Sequence, residues 1–216
     1  MLFFPAPDTG DTQFNSKVMQ AITWQAGENG AFMPQNQTKD EGNDDQAFWA
    51  FAAMDAAELG YPPPGKDYPS WAAMAQATFN TQAPRWDTSS CGGGLKWQII
   101  PLNQGYDYKN VASNGGFFKL AAQLARYTGN ETFTHWVEKE WDWFSKSVLY
   151  DDKNPDSIRI YDGTDDQENC VTPNRAQWTY NYGIILAGLA YIYNHVRIAP
   201  FHLSLPCLPR DRAAVG

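Results

Sequence analysis

Residues 41–59 read EGNDDQAFWAFAAMDAAEL. From Asp44 onward the run AFWAFAAM is apolar nearly all round, and a helix without a polar face has to be buried on every side. Two adjacent carboxylates, Asp44 and Asp45, stand at its mouth. Helix capping explains only one of them: an acid in the first turn complements the helix dipole by about 0.3–1 kcal/mol, and Asn43 alone would serve as a cap. A second acid adds repulsion, which has a use in glycoside hydrolysis. There one carboxylate attacks while the other gives and takes a proton, with about 5–5.5 Å between them in retaining enzymes. Repulsion and aromatic surroundings raise one of the two pKa values, and the dipole favours an ionised partner.

Working outward, five more helices are predicted, at residues 11–24, 71–83, 117–128, 132–149 and 177–194. The helix at 132–149 is amphipathic, with Phe133, Trp136, Val137, Trp141, Phe144 and Val148 on one stripe. The last one (YGIILAGLAYIY) is largely apolar. Few segments alternate as strands do, so the chain reads as all-α. Buried and half-exposed helices take turns, although the helix at 117 carries Lys119, Gln123 and Arg126 and fits neither class cleanly. Short connections at 129–131 and 60–70 contrast with about thirty residues before 117 and more than twenty-five before 177. Loops that long are uncommon unless they have a function. In an α/α barrel they fall at one end, the end where a site is expected.

Composition narrows the classes. The 216 residues carry a formal net charge of −8, the wrong sign for a nucleic-acid partner. Nine Trp, eleven Tyr and twelve Phe suit either a large core or a groove on which sugar rings stack. Sequons at Asn36 and Asn130 are compatible with a glycosylated, secreted protein, and a Cys91–Cys170 disulfide fits that compartment, leaving Cys207 over. The first residues lack the pattern of a signal peptide, and no stretch is long enough to span a membrane. The three histidines have no ligand spacing, so neither metal nor other cofactor is expected. GYPPPGKD at 60–67 imitates a P-loop, but Asp67 replaces the metal-binding hydroxyl and three prolines fill the loop.

Two other acid pairs compete with the first. Asp151–Asp152, in YDDKNPDS, reads as a solvated turn. Asp165–Asp166, in YDGTDDQENC, reads equally as a ligand contact or a plain loop, and misses the calcium-loop pattern.

The stretch at 41–58 resembles the fungal branch of glycoside hydrolase family 76, the α-1,6-mannanases. The likeness continues in FMPQNQTKDEGNDDQ, TQAPRWDTSSCGGGLKWQI, YDYKNVASNGGFFKLAAQLARYTGN and NCVTPNRAQWTYNYGIILAG, covering about residues 15–194. It implies an (α/α)6 barrel and retaining hydrolysis or transfer at α-1,6-mannosides, with Asp44 as nucleophile and Asp45 as acid/base. It also implies a cell-surface or cell-wall setting, action on the mannose core of GPI anchors, and a membrane anchor that this chain is not expected to carry. Matching positions suggest a sugar groove: Gly92, Gly93 and Gly94 for close approach, Trp97 for stacking, Lys109, Asn110 and Asn114 for hydroxyls, with Asp165 and Asp166 in the final loop. Trp178 and Asn181 fit the start of the last helix as well as they fit a sugar.

Six helices are visible where such a barrel needs twelve. The expectation is therefore a partial barrel, roughly its middle half, over residues 1–195, followed by a tail at 196–216 (from 197, RIAPFHLSLPCLPRDRAAVG) unlike a barrel helix. A mannan-binding protein without turnover and an inactive fragment are the alternatives to an enzyme.

Overall fold

A computed structural model describes residues 12–154 and 156–198. The first eleven residues, Cys207 and the expected tail beyond residue 198 lie outside them.

All six expected helices form: α1 (Asn15–Gln25), α2 (Asn43–Glu58), α3 (Trp71–Gln82), α4 (Val111–Thr128), α5 (Glu131–Lys146) and α6 (Thr179–Ile198). Their ends follow ordinary capping chemistry. The Ser70 hydroxyl accepts the Ala73 N–H at the head of α3, and the Asn130 side chain accepts the Thr132 N–H at the head of α5. Gly129 closes α4 at φ 69°, which only glycine adopts freely, and this permits the tight reversal into α5.

Packing sorts the helices into two rows, although α6, whose apolar sequence predicts burial, covers only the side it turns to α4 and leaves Leu186 64% exposed. α4 packs on α2, α5 and α6, and α2 packs on α3. The inner row is thus α2, α4 and α6, and α3 and α5 lie outside it, the alternation of a partial (α/α)6 barrel. Phe79 of α3, Phe117 of α4 and Phe133 of α5 join the rows, with ring centroids 5.1 and 4.8 Å apart. The stripe predicted on α5 buries Phe133, Val137, Trp141 and Phe144, with Trp136 partly buried.

α4 is the helix whose class its own sequence left open, and it is the central one. It starts six residues before the predicted position, because Ser113, Asn114, Gly115 and Gly116 look like a loop. Two glycines in a helix each cost about 1 kcal/mol relative to alanine. Here they let helices close up: a Cβ on Gly115 would lie 3.1 Å from Ile185 of α6, and one on Gly116 would lie 3.0 Å from Ala47 of α2.

The two long loops carry short strands that pattern reading did not anticipate. β1 (Tyr108–Asn110), β4 (Gly163–Asp165) and β5 (Pro173–Asn174) form an antiparallel sheet in the order β1-β4-β5, and β2 (Tyr150–Asp151) pairs with β3 (Arg159–Ile160). Strands of two or three residues are too short to show alternation. The expected disulfide joins Cys91 of one loop to Cys170 of the other. The loops therefore make one layer over the barrel end. Among the described residues, no helix is long and apolar enough to cross a membrane.

Candidate active site

The first turn of α2 is held to this loop layer from several sides. Gly42 is its N-cap and bridges to Gln98, and the Asn43 N–H donates to the Trp97 carbonyl at 2.9 Å. Asp45 turns back so that its Oδ2 accepts the Gly42 N–H at 2.9 Å, and Asp44 Oδ1 accepts the Asp45 N–H at 3.1 Å. Gly42 has an extended backbone (φ −92°, ψ 163°) open to any residue, so glycine is needed there for space. A Cβ would collide with Asp44 Oδ1, stand 3.2 Å from Asp45 Oδ2 and 3.1 Å from the Trp97 carbonyl. Both carboxyls thus flank the space that a side chain at position 42 would fill, an arrangement compatible with the about 5–5.5 Å of a retaining pair.

No cation pairs directly with either acid among the described residues. Burial, and then the charge of Asp45, push the Asp44 carboxyl up to about 7 against opposing hydrogen bonds from backbone N–H groups and the Trp97 indole. A third acid belongs to the cluster. Glu41 is buried, its Oε2 has no hydrogen-bond partner, and burial followed by the Asp45 charge raises it to about 7, with Arg85 opposing. The open side is aromatic: Tyr180, in the first turn of α6, has its pKa raised by burial and then by Asp162 and Asp44. Trp178 stacks on it at 6.3 Å and 14°, and both rings are about half exposed. Asp162 accepts the Tyr108 hydroxyl at 2.8 Å.

Of the predicted sugar contacts, the structure brings Trp97 to the acid pair. It gives most of the others framework roles, while Gly92 and Asp165 stay exposed in the loops. Lys109 has a fully buried ammonium that donates to the carbonyls of Asp87, Ser90 and Gly93 at 2.7–3.2 Å and pairs with Asp87 at 3.1 Å. Asn110 caps α4 by accepting the Ser113 N–H. Asn114 exchanges bonds with the Leu95 N–H and carbonyl at 2.6 and 2.9 Å and also donates to the Asn110 carbonyl. Gly93 and Gly94 do admit a close approach, but by the indoles of Trp86 and Trp143, which a Cβ would strike. Asp166 is spent on Lys96 at 2.6 Å and the Ser90 hydroxyl at 3.1 Å, and exposed Asp165 accepts the Gln167 N–H. Asp151 accepts the Tyr161 hydroxyl in the small β2–β3 hairpin. Asn36 and Asn130, the sequon asparagines, are both exposed.

Glu41, Arg85, Asp162 and Tyr180 were missed from the sequence. Glu41 and Arg85 lay inside recognised motifs, yet their proximity depends on a contact between the ends of two helices. Tyr180 carried a signal: an aromatic at the open end of a buried helix.

Against known proteins, the sequence model of glycosyl hydrolase family 76 matches residues 7–199. A mannan endo-1,6-alpha-mannosidase (DCW1) of Saccharomyces cerevisiae is 49% identical over 192 residues, covering 89% of this chain and 41% of that protein. Its Candida glabrata counterpart is 50% identical over 181 residues, covering 84% of this chain and 40% of that protein. The crystal structure of Dfg5 from Chaetomium thermophilum in complex with glucosamine superposes with a TM-score of 0.78 at 42% identity, over 88% of this chain and 46% of that one. More distant is an α-1,6-mannanase of Salegentibacter, described as an inactive variant with two consecutive aspartates replaced by asparagine, in complex with α-1,6-mannotriose (TM-score 0.59, 17% identity, 82% of this chain and 52% of that one). The chain spans about two fifths of the length of the curated relatives it matches. Since the match runs through nearly all of its own length, the chain belongs to glycosyl hydrolase family 76.

Proposed function

We propose that this chain carries the catalytic face of a mannan endo-1,6-α-mannosidase-type enzyme, a retaining glycoside hydrolase or transglycosidase acting on α-1,6-mannosides. The observation that carries the reading is the Asp44–Asp45 pair: two carboxyls around the empty side-chain position of Gly42, without an ion-pair partner among the described residues, one of them raised to about 7. That pair holds one proton across mildly acidic to neutral pH, the state from which a retaining enzyme starts. Similarity to proteins named for this activity supports the substrate class, as does the mannotriose complex of a distant mannanase whose adjacent aspartates had been replaced.

In the proposed reaction Asp44 attacks the anomeric carbon as Asp45 protonates the departing glycosidic oxygen. Asp45 then removes a proton from the incoming water or sugar hydroxyl, which displaces Asp44 with net retention. In the free chain burial keeps the proton on Asp44. Positive charge developing at the anomeric carbon favours the ionised form of Asp44, and more exposed Asp45 takes the proton to the leaving oxygen. Half-exposed Tyr180 and Trp178 offer ring faces to sugars, and partly buried Trp97 stands beside Asp44. The Cys91–Cys170 bridge and exposed sequons support an extracellular or cell-wall setting. The mannose core of a GPI glycan, with wall glucan as acceptor, is the finer substrate proposal.

Incubation with α-1,6-mannooligosaccharides tests the reading. Product formation lost in Asp44→Asn and Asp45→Asn supports it, and binding without product replaces it with a mannan-binding protein. Neither binding nor product marks an inactive fragment. Azide rescue checks the roles: Asp44→Ala should give the inverted glycosyl azide and Asp45→Ala the retained one, and the opposite result exchanges them.

A further inference from the structure

We propose that Arg85 is a positioning residue for the Asp44–Asp45 pair, clamping the two buried amide side chains that bracket it, Asn43 and Gln46. The inference rests on the catalytic reading of that pair. Arg85 closes the short 3-10 turn Ala83–Arg85 at the end of α3 and reaches over the head of α2. One of its nitrogens, Nη1, donates to Asn43 Oδ1 and to Gln46 Oε1, both at 2.8 Å, and Nη2 lies 3.0 Å from Met33 Sδ.

What makes this a device is how fully the two amides are otherwise committed. Asn43 is 1% exposed: its Nδ2 donates to the Lys96 carbonyl at 2.9 Å, and its backbone carbonyl accepts from Gln82 Nε2 at 2.7 Å. Gln46 is 0% exposed, and its Nε2 donates to the Ala31 carbonyl at 2.6 Å and to Thr81 Oγ1 at 2.8 Å. The remaining acceptor on each side chain faces Arg85. Without it, two buried oxygens lose their donor, one on each side of the acids. Lysine does not substitute, since its stem is one bond shorter than the reach to Nη1 and lacks the planar group whose second nitrogen rests against Met33 Sδ.

Charge gives Arg85 a second effect. It makes no direct ion pair among the described residues, yet its cation opposes the raised pKa of Glu41, which also faces Asp45. Asp44 in turn faces Asp45, the Trp97 indole and Tyr180. A guanidinium whose donors point at amides and whose charge acts on Glu41 orients the pair without neutralising it.

The test uses the whole chain with Arg85→Lys and Arg85→Met. In both, the side-chain amide NMR signals of Asn43 and Gln46 should move from their wild-type positions. In Arg85→Met the Glu41 carboxyl titration should also rise, whereas in Arg85→Lys, which keeps the charge, it should stay near wild type. On α-1,6-mannooligosaccharides, kcat should fall about tenfold to a hundredfold in Arg85→Lys with KM little changed, the cost of a misplaced reacting group. Wild-type amide signals in Arg85→Lys, or an active wild type whose kcat Arg85→Lys retains, overturn the inference. A wild type that forms no product sinks the catalytic reading instead. The amide signals and the titration need no turnover, and on their own they then decide whether Arg85 holds this turn.

Discussion

Two clusters of carboxylates sit at the same end of the barrel and are built on opposite principles. In the loop layer, Asp87 and Asp166 are each matched to a lysine, Lys109 at 3.1 Å and Lys96 at 2.6 Å. Burial works against the charge on Asp87, but hydrogen bonds from Ser89, Ser90 and Lys109 outweigh it and hold the carboxyl well below its ordinary range. At the head of α2, Glu41, Asp44 and Asp45 have no ion-pair partner among the described residues, Arg85 acts at a distance on Glu41, and two of the three are pushed up to about 7. Acids with their own cations act as mortar between loops. Acids left facing one another keep a proton to exchange.

The sharpest way to break this contrast is to neutralise one member of each cluster. Asp45→Asn should reduce turnover of α-1,6-mannooligosaccharides by about 10²–10⁴-fold, the usual worth of a positioned acid or base. The melting temperature should move little by comparison, since the amide oxygen still accepts the Gly42 N–H. An equal loss of activity and stability would make Asp45 a framework residue like Asp166.

The converse holds in the loop layer. Asp87→Asn leaves the fully buried Lys109 ammonium without its ion-pair partner, and breaking such a pair costs about 3–5 kcal/mol. Chemical denaturation of the purified variant reads this directly. A change below about 1 kcal/mol, the range of exposed ion pairs, would mean that Lys109 does not anchor the layer.

Glu140 sharpens the comparison from a third position, as an acid with neither a close cation nor a catalytic use. It is 1% exposed on α5, and both carboxyl oxygens lack a partner. Burial raises its pKa well above 4.5, with Lys139 and Lys109 opposing weakly. The folded chain therefore keeps the Glu140 proton where the unfolded chain has lost it. Its contribution to stability falls as pH rises above about 4.5, by up to about 1.4 kcal/mol per pH unit, until the folded pKa is reached. Glu140→Gln should remove that slope, so that the variant melts higher than wild type at pH 8 and close to it at pH 4. Parallel melting curves at both pH values would mean that the carboxyl is solvated.

How much of this was legible depends on the range of the interactions involved. The acid pair could be read because its meaning is local: two charges opening an apolar helix conflict within five residues of sequence. The burial of α2 and the stripe on α5 followed from helical periodicity for the same reason. Lys109 and Asn114 could not be read, because polar residues in a motif look alike whether they meet a sugar or a carbonyl. Their partners, Gly93 and Leu95, lie sixteen and nineteen residues away across a loop. Gly115 and Gly116 misled for a related reason, since their propensity speaks for a loop and only the neighbouring helices explain them. Arg85 is the extreme case, reaching across 39 and 42 positions to Gln46 and Asn43.

The smallest expected effect isolates geometry from charge. Gly42→Ala alters no titratable group, and the backbone at φ −92° accepts alanine without strain. The new methyl must instead displace Asp44 Oδ1 and crowd Asp45 Oδ2 and the Trp97 carbonyl. Crowding of this kind costs about 1–3 kcal/mol when the surroundings are rigid. Here one neighbour is a carboxyl that can rotate, so the loss of stability should fall at the low end of that range. The consequence for the acids is separate: moving the Asp44 carboxyl from its bond with the Asp45 N–H changes the spacing on which retention depends. A titration of the Asp44 carboxyl by NMR should therefore move in Gly42→Ala even where the melting temperature hardly does. If both stay at wild-type values, the methyl has found room, and the spacing of the pair is set by Arg85 and the buried amides rather than by the missing side chain at position 42.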